Sequence, residues 1–372
     1  MASESDRPHS TAHSEAPASG VSRLALRALD GLAELTLVPS YCAPGYHIRK
    51  RLWPDADLAI DLRGRRFVVT GANSGIGFAT SRGLARRGAT VILVCRSRER
   101  GEAARRTLEE DESRRAAAGE VLLELADLSL QRDVHALADR LLEHAPDGLD
   151  GLINNAGVLL DEKRVTSEGL EVAFATNVLA GHTLTARLAP ALAQRRGRVI
   201  HVSSGGMYGA RLDLRALQGD VASYDGVAAY AQTKRAQVIL NELWAERFAA
   251  ELDSAVRSEA MHPGWAATPG VATSLPRFNR LLQPLLRDAE QGADTVLWLA
   301  TSELPGDRGG RFWFDRRPRR THLWPGTRES EQTRAELWTL CERLCSRDGS
   351  REDESREDSS RSERPTDAST DA

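Results

Sequence analysis

From Arg65 onwards the chain alternates short apolar runs with longer segments in which apolar residues recur at helical spacing. Uninterrupted apolar runs such as 91–94 are typical of strands that are covered on both faces of a sheet. Strand followed by helix, repeated, predicts an α/β fold consisting of a single Rossmann-type, doubly wound parallel sheet with helices on both faces. The predicted strands are Phe67–Thr70, Thr90–Cys95, Val121–Leu125, Gly151–Asn154, Arg198–Val202, Ala255–Met261 and Arg311–Phe314.

The two ends of the chain lack this pattern. Residues 1–20 are rich in Ser, Ala, Pro and His, and residues 346–372 are almost entirely polar or charged. Neither stretch has enough apolar side chains to offset the loss of chain entropy, so both are expected to be disordered tails. We expect the folded domain to span 61–345, with a last helix over about 328–345.

An N-terminal helical extension is predicted over 21–60, because leucines recur at helical spacing in 22–37. A cluster of basic and aromatic side chains follows, consisting of Arg49, Lys50, Arg51 and Trp53. Such a cluster suits membrane headgroups, whereas the alternative is a helix that packs on its own domain or on a second subunit. The helix is short and carries Asp30 and Glu34, which favours the packing alternative.

Charge and cysteine content restrict the possible partners and compartment. The tail from Ser346 has a net charge of −4 in a chain of net −3, so the body is close to neutral and no nucleic-acid partner is expected. The basic run 316–320 is expected to be a solvated loop. Four cysteines do not make a disulfide framework in 372 residues, and Cys341 and Cys345 suit a helix core better than a metal. No apolar run reaches the roughly 18 residues of a membrane span, so we expect a cytoplasmic protein.

The first candidate for chemistry is the segment 70–77, Thr-Gly-Ala-Asn-Ser-Gly-Ile-Gly, which joins the first predicted strand to a helix. Glycine takes positive φ at little cost and lets a phosphate approach the backbone, while the N–H groups of a helix N-terminus favour an anion. A strand, a glycine turn and a helix in this order therefore predict a dinucleotide phosphate site. A glycine-rich loop alone is a weak signal, and the residues downstream must support it.

The residues after the next strands support a nucleotide site. Arg96 follows the second strand, where an NAD site has an acid for the ribose 2′-hydroxyl, so NADP(H) is preferred and NAD(H) is possible. Asp127 follows the third strand, where it suits either the nucleotide site or the N-cap of a helix beginning near Leu130. The fourth strand ends in Asn154-Asn155-Ala156-Gly157.

Tyr230 and Lys234 stand four residues apart on a predicted helix, so both lie on one face. A free phenol has a pKa near ~10, and a neighbouring ammonium favours the phenolate. The pair is therefore a workable general acid and base. Lysine is scarce in this chain, with only three in all, which makes a chance pairing less probable.

These motifs together resemble the short-chain dehydrogenase/reductase (SDR) family over residues 60–315. Further motifs, 202–207 and 261–270 among them, resemble its member-12 and retinol-dehydrogenase-like branch. The resemblance implies an oxidoreductase with catalytic residues Asn177, Ser204, Tyr230 and Lys234. The cofactor-binding residues that it implies are Gly71, Asn73, Ser74, Gly75, Ile76, Gly77, Arg96, Asp127, Leu128, Asn154, Ala156, Gly157, Tyr230, Lys234, Pro263, Gly264 and Thr268.

In the family mechanism Tyr230 exchanges a proton with the substrate oxygen, to which Ser204 donates a hydrogen bond. Lys234 binds the nicotinamide ribose and lowers the tyrosine pKa. Asn177 helps to hold a water that links Lys234 to solvent, and His262 is expected to be structural. Because Ser203 directly precedes Ser204, the sequence alone leaves open which of the two is the catalytic serine.

Two apolar stretches, 205–227 and 265–286, are expected to form a pocket for a lipophilic carbonyl or alcohol, although the same leucines suit a lid or a subunit contact. In many SDRs the helices that correspond to 168–193 and 230–250 form a dimer or tetramer interface. A homo-oligomer is therefore possible, as is a cofactor-binding regulator without turnover or a membrane-docked enzyme.

Overall fold

A computed structural model describes residues 40–54, 58–111, 119–267, 280, 282–303, 309–323 and 325–346. Within these residues the strands are β1 (Arg66–Thr70), β2 (Thr90–Cys95), β3 (Val121–Leu125), β4 (Gly151–Asn154), β5 (Arg198–Val202), β6 (Arg257–Met261), β7 (Phe312–Phe314) and β8 (Arg317–Arg319). The helices are α1 (Ala43–Lys50), α2 (Gly75–Arg86), α3 (Arg98–Glu109), α4 (Gln131–Glu143), α5 (Val172–Phe174), α6 (Ala180–Gln194), α7 (Leu214–Leu217), α8 (Gly226–Glu251), α9 (Ala289–Thr301) and α10 (Glu331–Cys345). A π-helical turn, Ala175–Leu179, joins α5 to α6.

The strands form one sheet in the order β3-β2-β1-β4-β5-β6-β7-β8, and every pairing from β3 to β7 is parallel. The order reverses between β1 and β4, which is the switch point where doubly wound sheets bind ligands at the carboxyl ends of their strands. The predicted Rossmann-type fold is confirmed. The first five predicted strands agree with the structure to within one residue.

Two hydrophobic layers cover the sheet, because successive side chains of a strand point to opposite faces. Val68 and Ile92 pack on the side of α4, α6, α8 and α10. Phe67 and Val91 pack on the other side, with α2, α3 and α9. The continuous apolar runs of the sequence therefore reflect strands that are buried on both faces, as predicted.

The basic run 316–320 is not the solvated loop that the sequence led us to expect. Residues 317–319 form β8, which pairs antiparallel with β7 through a tight turn at Asp315 and Arg316, both at positive φ. Pro318 is compatible with this position because β8 is the last strand of the sheet and needs no further ladder partner. Arg316 binds the carboxylate of Asp294 through two bonds of 2.8 Å and is itself almost buried.

The cluster after the predicted N-terminal helix packs on its own domain. Arg49 is buried and bonded to Asp315, and the guanidinium of Arg316 lies 4.2 Å from the ring centroid of Trp53. Lys50 and Arg51 are exposed. The helix predicted over 22–37 lies outside the described residues. No helix in the described part of the chain is both long and apolar enough to cross a membrane.

Candidate active site

The glycine loop lies between the end of β1 and the start of α2. Gly71 and Gly75 have φ of 65° and 56°, which favours glycine at both positions. Ser74 caps α2 without a side-chain hydrogen bond, so it leaves the N–H groups of the first turn to another acceptor. A Cβ on Gly77 would lie 2.4 Å from the Gly71 carbonyl oxygen. This close-packed turn with a helix N-terminus fits a dinucleotide pyrophosphate.

Asn155 supports the glycine loop from β4, a role that the sequence analysis missed. Its side-chain amide donates to the carbonyl oxygens of Thr70 and Gly71 at 2.8 and 3.4 Å. The hydroxyl of Thr70 accepts from the N–H groups of Asn155 and Ala156, both at 3.0 Å. The Asn-Asn-Ala-Gly motif is the sequence signal that could have revealed this role. Its second asparagine holds the loop, whereas the side chain of Asn154 donates to Gly181 and Thr185 of α6.

The adenosine side of the predicted site lies beyond β2 and β3. Arg96 directly follows β2 and is exposed. Asp127 accepts hydrogen bonds from the Ser129 N–H and hydroxyl, and Leu128 beside it is buried. The alternative role of Asp127 as a helix N-cap is wrong, because Glu168 accepts from the first N–H groups of α4.

Ser204 and Tyr230 meet at the end of β5. Ser204 lies close enough to Tyr230 to favour its phenolate, and the Ser204 oxygen accepts from the Gly206 N–H at 3.2 Å. The hydroxyl of Ser203 instead donates to the Lys234 carbonyl oxygen at 2.9 Å inside the protein. The structure therefore places Ser204, and not Ser203, beside the tyrosine.

Burial dominates the protonation of the Tyr230 and Lys234 pair. Desolvation raises the pKa of Tyr230 to about 12, and the nearby Ser204 side chain opposes this rise. Desolvation also lowers the pKa of Lys234 to about 7. The Lys234 ammonium lies 5.3 Å from the Tyr230 ring centroid. Tyr230 is therefore a protonated phenol at neutral pH, in a position to donate its proton.

Lys234 is held by two acceptors, the Val202 carbonyl oxygen at 2.9 Å and the Gln237 amide oxygen at 3.0 Å. The amide nitrogen of Gln237 donates to the Asn177 carbonyl oxygen at 2.6 Å. Gln237 thus connects the lysine to the π-helical turn that contains Asn177. The sequence analysis did not find Gln237, although it lies one helical turn after Lys234 and shares its face.

Asn177 also binds the loop after β4. Its side chain accepts from the Val158 N–H at 2.7 Å and donates to the Val158 carbonyl oxygen at 2.9 Å. A Cβ on Gly157 would lie 3.4 Å from both the Asn177 side-chain oxygen and Lys234 Nζ. The structure therefore brings the Asn177 side chain and the Lys234 ammonium close to Gly157.

Pro263 and Gly264 follow β6 at the same edge of the sheet. Gly264 has φ of 78°, and a Cβ there would lie 2.7 Å from the Tyr41 carbonyl oxygen. Nδ1 of His262 accepts from the Gly264 N–H at 3.1 Å, and burial lowers the pKa of this histidine to about 3. Neutral His262 thus orders the turn, consistent with a structural role. Thr268 lies outside the described residues.

Several apolar residues predicted to line the pocket lie in the core instead. Leu212 and Leu217 belong to the hydrophobic layer on the α8 side, and Met207 packs with Val238 and Phe312. Val271, Leu275, Phe278 and Leu281 lie outside the described residues. Among the described residues of the two stretches, Tyr208, Trp265 and Leu282 are half-buried.

The profile of the short chain dehydrogenase family matches residues 65–277. The chain is a short-chain dehydrogenase/reductase. It is 41% identical to dehydrogenase/reductase SDR family member 12 of Bos taurus over 76% of this chain and 86% of that protein. It is 34% identical to retinol dehydrogenase 12 of Bos taurus over 77% of this chain and 88% of the relative.

A solved structure gives the same result for the fold of this SDR. An uncharacterised protein from Mycobacterium paratuberculosis superposes with a TM-score of 0.62 at 32% identity, covering 79% of this chain and 97% of the other. Membership of the family establishes an NAD(P)-dependent oxidoreductase that acts on CH–OH and C=O groups. The two relatives confirm the resemblance to the member-12 and retinol-dehydrogenase-like branch.

Proposed function

We propose that this SDR is an NADP(H)-dependent reductase of lipophilic carbonyl compounds, with Tyr230 as the proton donor. The proposal depends on the neighbouring side chains of Ser204 and Tyr230, which lie at the sheet edge that also carries the glycine loop. Two adjacent hydroxyl donors suit a carbonyl oxygen that becomes negative during reduction.

Each side chain has a separate task in this reaction. Bound nicotinamide supplies the hydride for the carbonyl carbon. Ser204 donates a hydrogen bond to the carbonyl oxygen, and Tyr230 gives its hydroxyl proton to the same oxygen. The Lys234 ammonium stabilises the phenolate that is left, since it lies 5.3 Å from the ring centroid. In alcohol oxidation the proton moves in the opposite direction.

The preference for NADP(H) is inferred from Arg96. This exposed guanidinium directly follows β2, and a guanidinium pairs with a 2′-phosphate in two parallel hydrogen bonds. An acid at the same place would favour the free 2′-hydroxyl of NAD(H).

Fluorescence titration of NADPH and NADH tests this preference. Arg96→Glu should weaken NADPH binding by on the order of 10- to 100-fold, since a hydrogen bond to a charged group contributes about 1.5–3 kcal/mol, and should leave NADH binding nearly unchanged. Arg106→Glu, an exposed arginine further along α3, is the matched control and should change neither affinity. An equal loss for both cofactors in Arg96→Glu would contradict the proposed role.

Two half-buried aromatic side chains and the name of one relative support a lipophilic substrate. Tyr208 and Trp265 are half-buried aromatic residues that flank the catalytic serine and the turn after β6. Binding pockets for small molecules are mostly apolar with few orienting polar groups. Retinol dehydrogenase 12 is named for a lipophilic alcohol.

A further inference from the structure

We propose that the segment 40–53, here called the N-terminal clamp, completes the substrate site, and that Tyr41 within it determines substrate specificity. The proposal rests on the proposed function, since it assigns a wall to the same site. The clamp lies outside the family match at 65–277, so selectivity would come from a part of the chain that the shared domain lacks.

Tyr41 packs beside both the residue after Ser204 and the turn predicted to face the nicotinamide. A Cβ built on Gly205, the residue after Ser204, would lie 3.7 Å from Cζ of Tyr41, the ring carbon that carries the hydroxyl. The Tyr41 ring centroid also lies 4.8 Å from that of His262 and 5.8 Å from that of Trp265. The ring therefore forms one wall beside Gly205 and the 262–265 turn.

The clamp holds both described ends of the 265–287 segment. The Tyr41 carbonyl oxygen accepts from the Trp265 N–H at 2.8 Å, and the Ala43 N–H donates to the Leu285 carbonyl oxygen at 2.9 Å. Arg287 donates its N–H to the Trp265 carbonyl oxygen at 2.8 Å, which closes the base of this segment. The position of Tyr41 and the base of the segment are thus set together.

A buried ionic cluster fixes the clamp. Asp315 binds Arg49 at 2.7 Å and Arg287 at 2.6 and 2.8 Å, and these side chains are about 1% exposed. The Ser40 carbonyl oxygen accepts from both arginines. Burial by itself would raise the pKa of Asp315, but the two guanidiniums lower it below its ordinary value. Release of the clamp would leave buried charges unpaired, so the clamp is a fixed element of the domain.

The chemistry of Tyr41 indicates the substrate class. Burial raises the pKa of its phenol, which keeps the hydroxyl neutral and able to donate a hydrogen bond. With Trp265 it adds aromatic surface next to Gly205, the residue after Ser204. Aromatic pairs are stabilised beyond the burial of their area, so this wall should favour aryl ketones over aliphatic ketones of equal carbon number.

The test compares acetonaphthone with dodecanone as substrates of the full chain. Tyr41→Leu should raise the KM for acetonaphthone by about 2- to 12-fold, as the loss of an aromatic pair implies. The KM for dodecanone and the NADPH affinity should change less than twofold. Tyr41→Phe keeps the ring and should retain most of the preference. Arg51→Leu, an exposed position of the clamp, should behave as the parent.

Calorimetric titration of acetonaphthone into the NADPH complex separates this inference from the proposed function. If the parent turns over but Tyr41→Leu leaves the ratio of KM values unchanged, the role of Tyr41 is wrong and the proposed function stands. If the parent binds acetonaphthone in a Tyr41-dependent manner without turnover, the wall is supported and the function fails. An unchanged circular dichroism spectrum must accompany each variant, and Tyr41→Met, which also removes the ring, replaces Tyr41→Leu if that variant does not fold. If the parent neither binds nor reduces acetonaphthone, the result contradicts both the role of Tyr41 and the proposed function.

Discussion

At the scale of single residues, Gln237 is a buried polar side chain that contacts the Lys234 ammonium directly. The pKa of Lys234 is lowered from its ordinary 10.5 to about 7 by burial. A reaction that needs the ammonium is therefore fastest below pH 7 and declines as the pH rises through about 7. The uncharged amide of Gln237 accepts a hydrogen bond from the ammonium but adds no negative charge.

Gln237→Glu should shift the alkaline limb of the pH–rate profile upwards. A carboxylate at about the same distance favours the charged lysine and raises its pKa, by about 1–3 units for a close opposite charge. The measurement is kcat between pH 6 and pH 10 for the parent and the variant. Gln194→Glu, an exposed glutamine at the end of α6, controls for added charge and should leave the profile unchanged. An unshifted limb in Gln237→Glu would contradict the assignment of that limb to Lys234.

Most individual site residues were predictable from sequence because they belong to local motifs. Tyr230 and Lys234 share a helix face, and Arg96 directly follows a recognisable strand. Gln237 and Tyr41 were missed because their roles depend on what packs against them. The contact of Gln237 with Asn177 joins two separate helical segments, and Tyr41 reaches the site from outside the sheet region.

At the scale of elements, the packing of α2 on the end of β1 limits the glycine loop. A Cβ on Gly77 would lie 2.4 Å from the Gly71 carbonyl oxygen and 2.5 Å from the amide nitrogen of Asn155. Neither neighbour is free to move, because Asn155 also holds the Thr70 carbonyl oxygen.

Gly77→Ala should weaken NADPH binding by about 5- to 150-fold, since backbone shifts forced by overpacking typically cost 1–3 kcal/mol. Fluorescence titration measures the affinity, and circular dichroism checks the fold. Gly209→Ala provides the control, because no atom lies within 4 Å of its added Cβ. Equal affinities in the two variants would show that the close approach at Gly77 is not required.

Parallel strands were predictable at this scale, whereas β8 was not. Buried parallel strands are continuous apolar runs, which a sequence shows directly. The strand Arg317–Arg319 contains no apolar aliphatic or aromatic residue and pairs only with β7. Its formation depends on the turn at Asp315, whose carboxylate is fixed by Arg49 and Arg287 from distant parts of the chain.

At the scale of the whole molecule, α10 lies on α6 and α8, the helices that correspond to subunit interfaces in many SDRs. Trp338 packs against His182 and Trp244, with ring centroids 4.9 and 4.8 Å apart. Arg334 binds Glu242 and Glu246 of α8, and Glu342 binds His182 of α6. The described face of these helices is thus covered from within the chain.

We therefore predict that the protein is a monomer by light scattering at micromolar concentration. Leu337→Ala, at a fully buried position of α10, should lower the free energy of unfolding by about 2–5 kcal/mol and favour association through the exposed face. Gln332→Ala, on the exposed side of the same helix, should change neither stability nor mass. A stable dimer in the parent would contradict the prediction.

The most direct test of the central claim is transfer of deuterium from 4-deuterated NADPH to a panel of lipophilic ketones and aldehydes, detected by mass spectrometry of the alcohol. Both C4-labelled forms of the cofactor are used. The parent should label the carbinol carbon. Tyr230→Phe should lower the rate by about 10²- to 10⁴-fold, the usual contribution of a general acid. The variant should still bind NADPH. Tyr224→Phe, which removes a hydroxyl bonded to Glu171, should retain activity. Equal labelling by the parent and Tyr230→Phe would contradict the account.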